Sequence, residues 1–339
     1  MAKPKTASMI GLDIGSYSVK CVELTRVKEK SKDKFVLNQA ALLPLGSQSS
    51  DDLTTILKPL AGLIQKGKNH VRIVLSGSSL LVRCIQLPVM TQGELKGAIR
   101  FEAENHIAFP IDDCILDFQI VNQNAEKKIM NVLLVAAKRD YVQEKLRMLM
   151  DLQIYPEIID VDTFSLVNAF EVLETGAGPD EKTRALLNIG HRVTSLAILH
   201  EKLPLFVREI PMGAAAITKV VAEAKSLSEA DANVLKEETR PELLEEIKGF
   251  TQKGLESLVE EVKRSLEYFE NEIQTQVPSV YLSGGGSLGP GAAEGIASEL
   301  GKKVVAWDGR KIESAPGADR KTFEDNAALF NIALGLALR

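Results

Sequence analysis

The stretch GLDIGSYSVKCVEL, residues 11–24, carries the first signal of fold and function. Two apolar runs typical of strands flank a turn that holds Gly15 and Ser16, with Asp13 before it and Lys20 after it. Such a turn exposes the backbone N–H groups that a phosphate requires, although glycine and serine are also common in plain hairpins. Asp13 favours the phosphate site, because a carboxylate at a strand end can hold hydrated Mg²⁺. Lys20 could in addition neutralise phosphate oxygens.

The composition limits the classes of protein that are possible. The chain has 339 residues, of which 45% are hydrophobic and 26% charged, and this length favours two domains. A net charge of −5 offers no general attraction to nucleic acid or to an anionic membrane surface. Cys21, Cys84 and Cys114 form no CxxC pair, so neither a disulfide framework nor a zinc site is expected. No apolar run approaches the roughly 18 residues of a membrane helix, and we expect no direct membrane insertion and no export signal.

The order of strands and helices indicates two similar halves. Apolar runs at residues 8–14, 19–26 and 34–43 predict three consecutive strands, and a helix is predicted from residue 51 to about residue 65. After a loop rich in glycine and proline, the pattern of strand, glycine turn, strand and strand recurs from residue 184, where LLNIG parallels GLDIG. This weak internal repeat predicts two halves that face one cleft.

Two further glycine turns could join the first one at that cleft. NIGHRVTS, residues 188–195, has the same pattern with Asn188 in place of the aspartate. SGGGSLGPG, residues 283–291, follows a predicted strand and opens a predicted helix. Unpaired N–H groups and the positive end of that helix would then face a ligand. Three such turns in separate places favour a phosphate site over three unrelated hairpins.

The three turns together resemble the phosphate and adenosine loops of the actin-like ATPase superfamily, in which two ribonuclease-H-like halves clasp ATP. The resemblance covers the whole chain and implies ATP and Mg²⁺ as ligands, with Asp13 holding the metal ion through water. Asn188 departs from the family pattern, which has aspartate there, and Asn233 stands where a ribose-contacting glutamate is usual. The nucleotide-binding residues that the resemblance implies are Asp13, Gly15, Ser16, Lys20, Asn188, Gly190, Thr194, Lys236, Glu260, Lys263, Arg264, Gly284, Gly285, Gly286 and Ser287.

Within this superfamily the sequence is most similar to the PilM family of type IV pilus assembly proteins. The similarity rests on residues 11–24 and on LPVMTQGELKGAIRFEAENHIAFPIDDCILDFQIV, IIDVDTFSLVNAF and VREIPMGAAAIT, which begin at Leu87, Ile158 and Val207. It implies an α/β fold of two actin-like domains with a small α/β inserted subdomain like that of the cell-division protein FtsA. The implied units are residues 1–86 for the first part of the first domain, 87–152 for the insertion, 153–178 for the return to the first domain, 179–325 for the second domain with a helical subdomain at 213–274, and 326–339 for a closing helix.

The family resemblance also implies a role. A family member would be a cytosolic ATP-binding scaffold that docks the short cytoplasmic N-terminal tail of the membrane protein PilN and links it to the pilus motor ATPases. The insertion would create a groove beside the first domain, and such grooves bind extended peptides by backbone pairing and apolar pockets. The insertion is expected to add nothing to the nucleotide site. The candidate partner-binding residues are Arg83, Phe101, Ile107 and Phe109.

The sequence leaves other functions open. An active ATPase or kinase of the same fold would need a base to activate water or a hydroxyl group, and no such residue is identifiable. Asn188 predicts slow or absent hydrolysis, because it is neutral where relatives place a carboxylate. Asp160 and Asp162 are typical of helix-capping carboxylates, although Asp160 could also line the cleft. A membrane-associated assembly protein like FtsA or like GspL of type II secretion is the nearest alternative among binding proteins.

Overall fold

The computed structural model describes residues 8–28, 33–45, 50–65, 70–107, 109–124, 126–174, 181–238, 240–318 and 320–339, and within them the chain forms three β-sheets. The strands are β1 (Ser8–Ile14), β2 (Ser18–Lys28), β3 (Asp33–Pro44), β4 (His70–Leu75), β5 (Leu80–Pro88), β6 (Cys114–Asn124), β7 (Ile129–Lys138), β8 (Ile158–Val161), β9 (Thr183–Ile189), β10 (Thr194–His200), β11 (Leu203–Ile210), β12 (Ser279–Ser283), β13 (Lys303–Ala306) and β14 (Glu313–Ser314). The α-helices are α1 (Ser50–Gln65), α2 (Gln92–Glu104), α3 (Arg139–Asp151), α4 (Asp162–Leu173), α5 (Ala215–Lys225), α6 (Glu229–Lys236), α7 (Pro241–Ile273), α8 (Ala292–Leu300), α9 (Lys321–Asp325) and α10 (Asn331–Leu338).

The first sheet has the order β14-β3-β2-β1-β4-β8, and β1 and β2 come from the stretch quoted above. The three predicted strands are antiparallel neighbours, whereas β4 pairs in parallel with β1 and β8 in parallel with β4. Successive side chains of β1 point to opposite faces of the sheet, and the five residues in the middle of the strand are all buried, as in a central strand. Ile10 and Leu12 are buried in a core that also contains Leu57 of α1. Gly11, between them, faces α10 on the other side, so the sheet is covered on both faces.

The second sheet repeats this arrangement with the order β11-β10-β9-β12-β13. β9, β10 and β11 are antiparallel, and β12 and β13 continue in parallel from β9, so the predicted internal repeat is confirmed in the topology. Its core joins Leu187 of β9 to Ile217 of α5, Leu255 of α7 and Ile296 of α8. α5, α6 and α7 occupy the segment predicted as helical, residues 213–274. None of the helices in the described segments has the length and apolar character needed to cross a bilayer.

The third sheet, with the order β5-β7-β6, is antiparallel and belongs to the insertion. Strand β5 is not among the predicted strands, and most of it falls in the segment assigned to the first domain. Because β5 pairs with β7 along its whole length, the sheet of the insertion begins at Leu80 and the predicted boundary at residue 87 lies too late. A separate core joins Ile85 of β5 to Leu95 and Ile99 of α2.

The insertion contacts both larger domains. Leu149 of α3 lies in the same buried core as Ile10 of β1, in the first domain. Val82 of β5 and Leu133 of β7 share another buried cluster with Val207 of β11, which belongs to the second sheet. The insertion therefore bridges the two domains and does not only lie beside the first one.

Helix α10 lies at the centre of the first domain, and all eight of its residues are buried. A Cβ atom added to Gly11 of β1 would lie 1.9 Å from the carbonyl oxygen of Ala333. One added to Gly335 would lie 1.6 Å from the carbonyl oxygen of Ser165 in α4. Helix α10 is therefore part of the core of the protein. In place of one closing helix over residues 326–339, a short 3₁₀ turn precedes α10.

Candidate functional site

A cleft of about 870 Å³ lies between the first and second domains, within the size range of small-molecule sites. All three glycine turns contribute to its walls. The predicted nucleotide-binding residues that line it are Asp13, Gly15, Ser16, Lys20, Asn188, Gly190, Lys236, Gly284, Gly285 and Gly286. The predicted residues that do not line it are Thr194, Glu260, Lys263, Arg264 and Ser287.

In the first turn the antiparallel register of β1 and β2 places Asp13 opposite Lys20. The Asp13 Oδ2 and Lys20 Nζ atoms are 3.1 Å apart, and both side chains are largely buried. The N–H group of Gly15 donates to the carbonyl oxygen of Ser18 at 3.2 Å and closes the turn. A Cβ atom on Gly15 would lie 2.9 Å from Lys20 Nζ, so a larger residue would press on this ion pair. The turn therefore presents one carboxylate and one ammonium group side by side.

In the second turn the Asn188 side chain is buried, and its Oδ1 atom accepts a hydrogen bond from the Ser283 hydroxyl group at 3.1 Å. This contact ties the second turn to the strand that leads into the third. The hydroxyl group of Thr194 donates to the carbonyl oxygen of Met212 at 2.8 Å, and Thr194 is fully buried. Thr194 therefore supports the turn from inside the fold, and the predicted contact with a phosphate does not fit its position.

The third turn begins after β12 with Gly284, which has a φ of +86°. A Cβ atom there would lie 2.5 Å from the carbonyl oxygen of Ile189, so both the conformation and the contact with the second turn require glycine. The Ser287 hydroxyl group donates to the carbonyl oxygen of Gly284 at 2.6 Å. Ser287 thus stabilises the turn and does not face the cleft as predicted. The predicted helix follows as α8, which begins at Ala292.

The three predicted residues on α7 lie outside the cleft. Arg264 pairs with Glu260 at 3.2 Å and with Glu261 at 3.1 Å, which holds its guanidinium group along the helix surface. On α7, the residue Thr251 lines the cleft. Because each helical residue adds 1.5 Å, Glu260 lies about 13 Å further along the axis. The expected contacts of Glu260, Lys263 and Arg264 with a base or ribose therefore do not fit this geometry.

A cluster of side chains joins the two domains at the cleft. The ring centroids of Tyr17, from the first turn, and His191, from the second, are 4.9 Å apart. Lys236 of α6 places its Nζ atom 5.4 Å from the Tyr17 ring centroid and donates to Asn233 Oδ1 at 2.6 Å. Burial, together with the positive charges of Lys236 and Arg192, lowers the pKa of His191 to about 4. His191 is therefore a neutral ring at physiological pH, and Asn233 acts by positioning Lys236.

Several residues that line the cleft could not be identified from the sequence. Tyr141 and Lys145 of α3 line the cleft, so the insertion does contribute to the site, contrary to the expectation that it adds nothing. Burial lowers the pKa of Lys145. The turn at residues 76–79, which connects β4 to β5, also lines the cleft. An amphipathic pattern identifies which face of a helix such as α3 is buried, but not which cavity that face meets.

The aspartate of IIDVDTF that lines the cleft is Asp162 and not Asp160, which forms an ion pair with Arg339 at 2.5 Å. Asp162 Oδ2 accepts a hydrogen bond from the Ser195 hydroxyl group at 2.6 Å, and the Asp162 carboxyl group also faces that of Glu209 on β11. Burial, and then the charge of Asp162, raise the pKa of Glu209 to about 10. Burial also raises the pKa of Asp162. Glu209 therefore keeps its proton at neutral pH.

The raised pKa of Glu209 predicts a pH dependence of stability. The ordinary pKa of a glutamate is 4.5, and the folded chain keeps the Glu209 proton up to about pH 10. Stability therefore falls as the pH rises between these values, by at most about 1.4 kcal/mol per pH unit from this group. Glu209→Gln removes the titrating group, while its amide can still donate to Asp162, so the fall should be shallower. Urea unfolding of both proteins at about pH 6 and pH 9 checks this, and parallel changes would contradict a raised pKa of Glu209.

A second cavity of about 400 Å³, called the groove below, adjoins the cleft on the side of the insertion. Of the predicted partner-binding residues, Phe109 lines it. Arg83 is exposed on β5, Phe101 is 70% exposed on α2, and Ile107 packs on the core of the insertion, so these three lie outside the groove. The other residues that line the groove are Ser79, Pro110, Asp113, Lys138, Asp140, Tyr141 and Glu144.

The family model of the type IV pilus assembly protein PilM matches residues 11–339. The chain belongs to the PilM family. A solved PilM-PilN type IV pilus biogenesis complex contains a chain that is 26% identical, with a TM-score of 0.81 over 99% of both chains.

More distant solved structures share the fold. The ethanolamine utilization protein EutJ from Carboxydothermus hydrogenoformans is 14% identical, with a TM-score of 0.56 over 100% of this chain and 90% of that one. MreB5 of Spiroplasma citri, bound to ADP, is 12% identical, with a TM-score of 0.50 over 98% of this chain and 95% of that one. The predicted actin-like α/β fold is confirmed by these likenesses together with the family match.

Proposed function

We propose that this chain is a cytosolic ATP-binding scaffold of the type IV pilus assembly platform, held at the inner face of the inner membrane by the cytoplasmic N-terminal tail of PilN. The observation that carries the proposal is the likeness over 99% of both chains to a protein of a PilM-PilN complex. In this role ATP sets the relative position of the two domains, and partners respond to that position. The link to the pilus motor ATPases would run through the same platform.

The cleft suits a nucleoside triphosphate in its size, in the backbone N–H groups of its turns and in its charge. Four cationic side chains from separate elements line it, and they are Lys20, Lys145, Arg192 and Lys236. The glycine turns let phosphate oxygens approach backbone N–H groups, and the third turn leads into the N-terminus of α8. We assign the phosphates to the first and second turns and the adenosine to the third, at Gly284, Gly285 and Gly286.

Asp13 is the residue that would hold Mg²⁺, through water. Within the described segments no group of three or more His, Cys, Asp and Glu side chains is placed to hold a metal ion directly. When bound, Mg²⁺ would neutralise charge on the phosphates. Asn188 supports slow hydrolysis, because its neutral amide, already bonded to Ser283, stands in place of a carboxylate. Loss of one preorganised electrostatic group commonly costs about 10²–10³ in rate.

The groove is the proposed site for the PilN tail. Asp113, Asp140 and Glu144 line it together with one lysine, Lys138, so its charge favours a peptide that carries a basic residue. The Nζ atom of Lys138 lies 5.2 Å from the centroid of the Phe109 ring. An extended peptide could pack an apolar side chain on that ring and place a basic one at the acidic rim.

Replacement of Phe109 by alanine tests the docking site. We expect the affinity for a fluorescent peptide of the PilN tail to fall at least about tenfold, because buried aromatic anchors carry much of the binding energy of an interface. Fluorescence anisotropy gives the dissociation constants. Phe101→Ala is the matched control, since Phe101 is exposed on α2 outside the groove and its loss should leave the affinity unchanged. An unchanged affinity in Phe109→Ala would place the docking site elsewhere.

A further inference from the structure

The turn at residues 76–79 lies between the cleft and the groove. All four of its residues line the cleft, and Ser79 also lines the groove. Tyr141 of α3 likewise lines both cavities. The turn connects β4 of the first sheet to β5 of the insertion, so a change in its position alters the walls of both cavities.

Contacts from two different units hold this turn. The N–H group of Gly77 donates to Glu209 Oε2, on β11 of the second domain, at 2.6 Å. The hydroxyl group of Tyr141, in the insertion, donates to the carbonyl oxygen of Ser76 at 3.0 Å. Gly77 has a φ of +95°, and a Cβ atom there would meet no atom within 4 Å, so this side of the turn faces open space.

Glu209 in turn lies next to a residue that lines the cleft. Its carboxyl group faces Asp162, which lines the cleft at the start of α4. Asp162 accepts hydrogen bonds from the Ser195 hydroxyl group of β10 and from the N–H group of Thr163, both at 2.6 Å. The neighbouring carboxyl groups of Asp162 and Glu209 therefore connect the cleft to the hydrogen bond at Gly77, and such sets of polar groups can carry energetic coupling between sites.

We propose that the 76–79 turn couples the two cavities, and that Glu209 is the positioning residue through which a nucleotide in the cleft changes the affinity of the groove for its peptide. This inference rests on the proposed function, because it requires both ligands. When the second domain moves relative to the first, β11 carries Glu209 with it. The hydrogen bond to Gly77 then displaces the turn and, with it, Ser79 in the groove wall. By linkage, the peptide must change the affinity for the nucleotide by the same factor.

The coupling is measured by titrating the fluorescent PilN-tail peptide into the chain with and without MgATP. In the wild type the two dissociation constants should differ at least about fivefold. In Glu209→Ala they should agree within about twofold, while each ligand alone binds within about threefold of its wild-type affinity, because Glu209 lines neither cavity. Glu209→Gln should keep the wild-type ratio, since its amide oxygen can accept from Gly77 and its amide N–H group can donate to Asp162.

The outcomes separate this inference from the proposed function. Wild-type coupling in Glu209→Ala would overturn the inference, and so would a wild-type chain that binds both ligands without mutual effect. Failure of MgATP or the peptide to bind at all would refute the proposed function itself. If Glu209→Ala does not fold, Tyr141→Phe is the second variant. It removes the hydroxyl group that holds Ser76, so its coupling ratio should fall toward one, and an unchanged ratio would count against the turn as the coupling element.

Discussion

Replacement of Gly335 by alanine is expected to prevent stable folding of the chain. The added Cβ atom would lie 1.6 Å from the backbone carbonyl oxygen of Ser165, far inside van der Waals contact. Helix α10 would have to leave a core in which all of its residues are buried. We expect a cost above the roughly 4–5 kcal/mol that marks exceptional substitutions, against a total stability of about 5–15 kcal/mol. Soluble yield and thermal unfolding followed by circular dichroism measure the loss.

Gly249→Ala is the matched control for this substitution. Gly249 is exposed within α7, and a Cβ atom there would meet no atom within 4 Å. The same change should therefore stabilise the protein by about 0.5–1 kcal/mol, because alanine loses less backbone entropy in a helix. A Gly335→Ala protein whose melting temperature stays close to that of the wild type would contradict the packing described for α10.

Replacement of Ser16 by glutamate is expected to abolish ATP binding in the cleft. Ser16 is exposed in the first turn, so the change leaves the core intact. The carboxylate of the new glutamate would lie where the phosphates of ATP are proposed to bind, and like charges repel strongly in a partly dehydrated cleft. MgATP at 100 times its dissociation constant should stabilise the wild type by about 2.7 kcal/mol and raise its melting temperature. The glutamate variant should show no such shift.

Ser16→Gln controls for the size of the new side chain. It has the length of glutamate without the charge, so part of the MgATP shift should remain. Equal shifts in the two variants would mean that the first turn does not face the phosphates, and no shift in the wild type would refute ATP binding. Asp13→Ala is a poorer probe, because loss of the carboxylate leaves the largely buried Lys20 ammonium group without its partner.

The two larger sheets and the place of the glycine turns could be predicted because local chemistry specifies them. Each turn follows an apolar strand and contains glycines that the backbone requires, as at Gly284 with its positive φ. The recurrence of LLNIG after GLDIG predicted the repeated topology, because the same order of strands and turns builds the same sheet. Asp13 and Lys20 could be placed together for a similar reason, since a short turn fixes the register of β1 and β2.

Side-chain direction and tertiary distance could not be predicted in the same way. Thr194 and Ser287 have the hydroxyl groups expected of ligand residues, but nearby carbonyl oxygens accept their hydrogen bonds instead. The sequence period of α7 identifies its buried face, whereas only the packing of the helix shows that Thr251 reaches the cleft and Glu260 does not. Likewise, the geometry of the junction between β8 and α4 decides which aspartate of IIDVDTF faces the cleft.

The central position of α10 also sets an order of events during synthesis. β1 packs against a helix made of residues 331–338, so the first domain has an incomplete core until those residues have been translated. At roughly 5–20 residues per second, β1 would wait on the order of tens of seconds after leaving the ribosome. The sheet of the second domain contains only residues 183–306 and can form while translation continues. A nascent chain of this protein therefore carries an open apolar face on β1 until α10 has been made, and this face is the part that chaperones would need to cover.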